Sequence, residues 1–110
     1  MPTATASSTR TEQAHWVLAQ FAAETPHAIR YGQFGVALEL AFPGVPVPRW
    51  HQGPLLTEVA ALCKANGEPD LSSMVVSARS GEPLSGYTGP DPEPERWACH
   101  RHFRAAKYGK

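Results

Sequence analysis

"DLSSMVVSARSGEPLSGYTG", residues 70–89, is the stretch on which the fold turns. Its apolar residues gather at Val75 and Val76, and again at Leu84 and Tyr87. Between them lies a charged, glycine-containing "RSGE" at 79–82. β-Branched residues bounded by turn formers favour a pleated, half-buried surface. The pattern therefore predicts a strand over 73–78, a turn at 79–82 and a short return strand at 84–87. Pro83 has no N–H to give to a ladder, so the return strand is an edge or an irregular arm.

Upstream the period changes from two to 3.6. Ala14, Val17, Leu18 and Phe21 recur at helical spacing, and Thr9 with Glu12 fits a capping box, which predicts a helix over 10–24. Pro26 disfavours helix at Thr25 and ends it. Residues 1–9 are small and polar and are expected to form a disordered N-terminus. Phe34, Leu38 and Ala41 share one face of a second helix, 31–40, which Pro43 and Gly44 stop. "PGVPVPRWHQGP" (43–54) carries four prolines and two glycines and reads as an extended loop. Leu56, Val59, Ala60 and Cys63 then form the stripe of a third helix, 54–66. Pro54 sits in its first turn, and Asn66 and Gly67 tolerate the left-handed backbone of its end. "TGPDPEP" is a linker, and Asp91 or Glu93 before proline starts a last helix, about 95–108.

Three helices, a two-stranded arm and a C-terminal helix make one α+β domain over 10–110. The layout is that of a small winged-helix-like domain with the hairpin as its wing. The chain has 110 residues with 42% hydrophobic content, enough for a single core. Ten Lys and Arg balance ten Asp and Glu, which argues against a strongly basic, sequence-blind nucleic-acid binder. The charge is uneven, however: Arg96, Arg101, Arg104, Lys107 and Lys110 crowd the C-terminus beside His100 and His102. Two cysteines make no disulfide framework, and no apolar run approaches the roughly 20 residues of a membrane helix. "MPTATASSTR" lacks the pattern of a secretory signal, so a cytoplasmic location without membrane partners is expected.

"IRYGQFGVAL" (29–38), "AALCKANGEP" (60–69) and "VVSARSGEPLSGYTG" (75–89) resemble, in order and approximate spacing, the C-terminal domain of alkylguanine-DNA alkyltransferases and the alkyltransferase-like proteins. The resemblance implies a winged helix that binds DNA, with Tyr31 at a phosphate-contacting position. It also implies the loss of the reaction. The family's nucleophilic cysteine falls at Ser72, a vestigial position here, and its His and Arg fall at Ser73 and Met74. Alkyl transfer needs a thiolate beside a base, and a serine without a base is a poor nucleophile. The family's intercalating arginine falls near Thr57, next to Glu58. The expectation is therefore a non-catalytic DNA-binding protein, possessing no cofactor and suited to altered or distorted duplex.

Arg30, Arg49, His51 and Lys64 would add charge, Arg79 and Ser80 would present the turn to a groove or backbone, and Tyr31 would meet an anion at a helix start. On the last helix Trp97, Arg101, Arg104 and Tyr108 fall on one face, basic in the middle with an aromatic at each end. That face would grip phosphate or, in the alternative reading, the acidic surface of a protein partner. Cys99, Phe103 and Ala106 form the opposing apolar stripe. "CHRH" (99–102) places only Cys99 and His102 on one side, with no second ligand pair in sequence, so no metal is assigned. His15 and His27 have no evident partner and read as structural or exposed.

Overall fold

The computed structural model describes residues 9–44, 49–83 and 87–109, with the backbone alone for 49–51. The expected disorder of the N-terminus falls on residues 1–8, outside the described residues, as do 45–48 of the proline-rich loop and 84–86 of the return strand. Thr9 itself is ordered.

Helix α1 (Arg10–Glu24) follows from its cap. Thr9 Oγ1 accepts from the Glu12 N–H at 3.1 Å, and Glu12 Oε1 accepts from the Thr9 N–H at 2.9 Å. The reciprocal bonds satisfy two groups that a helix start leaves free. They also hold the exposed Glu12 carboxyl below its usual range, the Thr9 backbone N–H contributing most and its hydroxyl next. Thr9→Ala is expected to cost about 1 kcal/mol, a melting point lower by roughly 4 °C in calorimetry. An unchanged melting point would show that packing, not the cap, sets this helix end.

Two-residue strand β1 (Ile29–Arg30) leads directly into α2 (Tyr31–Ala41). Phe34 and Leu38 are buried as expected, but Ala41 is exposed. Helix α3 runs over Arg49–Ala65, five residues longer at its start than the proline count predicts. Pro54 is the sixth residue, so the helix forgoes one bond, to the Trp50 carbonyl. Gln52 anchors the added turn: it is buried, and its Nε2 donates to the Tyr31 carbonyl at 3.0 Å. The C-terminal end matches expectation. Gly67 takes φ +68°, its N–H donates to Lys64 O at 3.2 Å, and the Glu68 N–H donates to Cys63 O at 2.9 Å. This pair of bonds is a Schellman closure, and it folds Glu68 back over its own helix.

The strand expected over 73–78 is shorter than its pattern. Leu71–Met74 is a 3-10 turn, capped by Asp70, and β2 is only Val75–Val76. β2 pairs in parallel with β1, Ile29 opposite Val75 and Arg30 opposite Val76. Among the described residues the hairpin shows one antiparallel bridge, Val76 to Pro83, with the Ser77 N–H donating to Glu82 O at 2.9 Å. Pro83 accepts but cannot donate in such a ladder. All of 71–76 is buried, because the 3-10 turn packs on α1, α3 and the C-terminal helix, and β2 lies against α2 with β1 along its edge.

Helix α4 (Pro92–Tyr108) starts at Asp91, whose Oδ1 accepts from the Glu93 N–H at 3.1 Å, and ends at Gly109 with φ +71°. Its Cys99 and Phe103 are fully buried, whereas Ala106 is exposed. α1 is the central element: α2, α3, α4 and the 3-10 turn all pack on it. Eight of its fifteen residues are buried as a consequence. Four helices and a two-stranded parallel sheet among the described residues thus make a compact α+β domain, with a Cα radius of gyration of 12.6 Å. No helix among the described residues is long and apolar enough to cross a membrane.

Candidate functional site

The parallel pairing of β1 and β2 brings one set of expected contact residues together. Parallel strands leave a sheet at the same end. The chain leaves β1 as Tyr31, the first residue of α2, and leaves β2 as Ser77, the first residue of the 77–82 turn. Arg30 and Tyr31 therefore lie at the same end as Arg79 and Ser80. Arg30, Arg79 and Ser80 are exposed and Tyr31 is half-buried. The turn is braced locally: the Arg79 N–H donates to Ser77 Oγ at 3.2 Å, and the Glu82 N–H donates to Ser80 Oγ at 3.2 Å. The bond from Gln52 to the Tyr31 carbonyl brings the start of α3 to this end as well. Arg49 and His51 belong to that start, but their side chains lie outside the described residues.

The other expected contacts are elsewhere. Lys64 is exposed but lies 15 residues along α3 from Arg49, a rise of about 22 Å. Thr57 is exposed, and its hydroxyl donates to Gly53 O at 3.0 Å. Its neighbour Glu58 accepts from the Thr11 hydroxyl at 2.9 Å. On α4, Arg101 is exposed, while Arg104 Nη1 donates to Ala23 O at 3.3 Å and stacks on Tyr108 at 5.1 Å. Next to it, the nitrogen His100 Nδ1 lies 2.8 Å from Ala22 O, and Lys107 and Tyr108 both reach Glu24. The Tyr108 hydroxyl foremost, then Lys107, holds the exposed Glu24 carboxyl below its usual range. Half of the expected basic-aromatic face is thus engaged with the carbonyl end of α1, where cations favourably meet the helix dipole.

Ser72 is fully buried. Its hydroxyl donates to Asp70 Oδ1 at 2.6 Å, and its N–H donates to the same oxygen at 2.9 Å. Ser72, where the resemblance implies a vestigial nucleophile, is therefore a cap contact closed to solvent. Burial pushes the Cys63 thiol up to about 12 and raises Cys99 as well, so both sulfurs are protonated at neutral pH. An open depression of about 380 Å³ lies beside the turn, and Glu82 and Asp91 in its lining make it a poor seat for an anion.

A second cluster has no local signal in the sequence. His15 from α1, Cys63 from α3 and Glu68 from the loop after it place their ligand-type atoms within 4.8 Å of one another. His15 Nε2 lies 2.8 Å from Glu68 Oε1, and His102 Nε2 from α4 lies 4.0 Å from Glu68 Oε2. His15 is thus paired rather than partnerless. The residues are 53 and 34 positions from Glu68 along the chain, a separation that no periodicity reports. Comparison with protein-family models, with curated proteins and with solved structures finds no match.

Proposed function

We propose that this chain binds duplex DNA without catalysis, as a winged-helix-like domain of alkyltransferase type. The contact end is that of the two-stranded sheet. One observation supports the reading: the parallel register of β1 and β2 gathers the exposed Arg30, the start of α2 and the Arg79–Ser80 turn at one end of the molecule. Helix N–H groups and guanidinium groups are donors suited to phosphate, and such contacts set position on a duplex rather than read its bases. Lys64 and Arg104 do not belong to this set, being distant along α3 and committed to α1 respectively. A small phosphate footprint also accords with a net charge of zero.

Fluorescence anisotropy with labelled duplex at about 50 and about 200 mM salt tests it. Each phosphate contact should weaken binding roughly 3.5-fold across that interval, from a slope of about −0.9 per contact. Arg30→Ala and Arg79→Ala should each weaken binding at low salt and flatten the slope by about one unit. Binding that is absent at low salt, or unaltered in the double variant, refutes the reading.

One observation favours the rival, a protein-interaction module. Val36 and Leu40, four residues apart on α2, are 61% and 79% exposed. Two large apolar side chains on one helix face suit a protein contact whose strength changes little with salt. Val36→Glu and Leu40→Glu would abolish such a contact and leave DNA binding intact.

A further inference from the structure

We infer that His15, Cys63, Glu68 and His102 form a structural zinc site that ties α1, α3 and α4 together. The donor set is two imidazoles, one thiolate and one carboxylate, all suited to Zn²⁺, and four ligands is the number a structural site requires. The thiolate disfavours Mg²⁺ and Ca²⁺, which take oxygen.

Distances fit a modest closure. Tetrahedral zinc with bonds of about 2.0–2.3 Å separates its ligand atoms by about 3.3–3.6 Å. His15 Nε2 and Glu68 Oε1 are 2.8 Å apart and need to part by roughly half an ångström. The atoms of His15, Cys63 and Glu68 span at most 4.8 Å and need to draw in by about one. His102 lies outside that trio: its Nε2 is 4.0 Å from the second Glu68 oxygen, its side chain is 41% exposed, and it must move inward to complete the set.

The surroundings are those of a held site. Phe103 meets the His15 ring at 5.9 Å and 80° and the His102 ring at 4.7 Å and 82°, so one buried ring packs edge-to-face with both imidazoles. The Leu71 backbone N–H donates to the Cys63 sulfur, a contact that stabilises a thiolate. The left-handed Gly67 directs Glu68 back toward Cys63, as the Schellman bonds require. Zn²⁺ with one thiolate and one carboxylate is neutral overall, which suits side chains of His15 and Glu68 that are only 11% and 14% exposed.

The exchange balances. Zn²⁺ forms a bond to Cys63 Sγ as the S–H bond breaks, and that proton goes to solvent. His15 and His102 each ligate through the Nε2 lone pair of a neutral imidazole, whose ring proton stays on Nδ1. Because binding displaces the Cys63 proton, affinity should fall as the solution is acidified.

Co²⁺ titration of the metal-free full chain tests the site, since cobalt in a tetrahedral thiolate site absorbs through ligand-field and sulfur-to-metal charge-transfer bands. One Co²⁺ per chain should produce both, and one Zn²⁺ should bleach them. Cys63→Ser should abolish the charge-transfer band, Cys99→Ser should keep it, and His102→Asn should weaken Co²⁺ by about tenfold or more. Should Cys63→Ser not fold, His15→Gln and Glu68→Gln serve instead, each weakening Co²⁺ by about tenfold or more. Wild-type chain with no charge-transfer band under excess Co²⁺ overturns the site. So does a band that survives Cys63→Ser or vanishes with Cys99→Ser, or unchanged affinity in the His15 and Glu68 variants. None of these readouts involves DNA.

Discussion

Phe103→Ala should remove about 3–5 kcal/mol of stability, a large part of the roughly 5–15 kcal/mol that holds a domain of this size together. Phe103 is fully buried and, with Phe34, heads the largest enclosed side chains. It sits in the middle of α4, the element that packs most extensively on α1. Truncation deletes the ring's burial and leaves a cavity that helices fixed at both ends cannot close. It also frees the His15 and His102 rings that Phe103 touches edge-on. Urea unfolding followed by circular dichroism should show the midpoint lowered by about 1 M or more. A shift near zero would mean that α4 is an appendage, not a wall of the core.

Asp70→Ala should cost about 2–4 kcal/mol, from a lost cap and an orphaned hydroxyl. Asp70 Oδ1 accepts both the Ser72 N–H and the Ser72 hydroxyl, and Ser72 has no exposure to water. Alanine leaves that hydroxyl a buried donor without an acceptor. Asp70→Asn keeps an oxygen in place and should cost less than half as much. Ser72→Ala measured in the Asp70→Ala background should be milder than Ser72→Ala alone, because the orphan is then removed. Strictly additive free energies would show that the two residues do not act through this bond.

Helix positions were largely legible in the chain. The bounds of α1 match the reading of Thr9, Glu12 and Pro26, because capping and proline chemistry act within four residues. The end of α3 matches for the same reason, through Asn66 and Gly67. Its start does not match. Proline count between 43 and 54 argued for loop, while the buried Gln52, bonded to Tyr31 across 21 residues, holds helix from Arg49. The 3-10 turn at Leu71–Met74 was likewise hidden: its cap at Asp70 is local, but the Asp70 N–H is held by Glu95 at 2.7 Å, 25 residues away.

The candidate contact residues divide along the same line. Arg30, Arg79 and Ser80 were singled out by local charge and turn chemistry and Tyr31 by the resemblance and its place at a helix start, but that they share an end depends on β1 lying beside β2. Arg104 read as a free cation on a surface stripe, and only the packing of α4 on α1 shows it bonded to the Ala23 carbonyl. His15 read as partnerless because Glu68 is 53 residues distant.

By itself, then, the order of residues determined where helices start and stop at capped ends and which faces are apolar. These follow from backbone sterics, cap hydrogen bonds and the period of hydrophobicity, all of short range. Tertiary structure alone decided the parallel pairing of Ile29–Arg30 with Val75–Val76, the early start of α3 and the meeting of His15, Cys63, Glu68 and His102. Those depend on how helices cross when one apolar centre is closed, and that closure is a property of the whole chain at once.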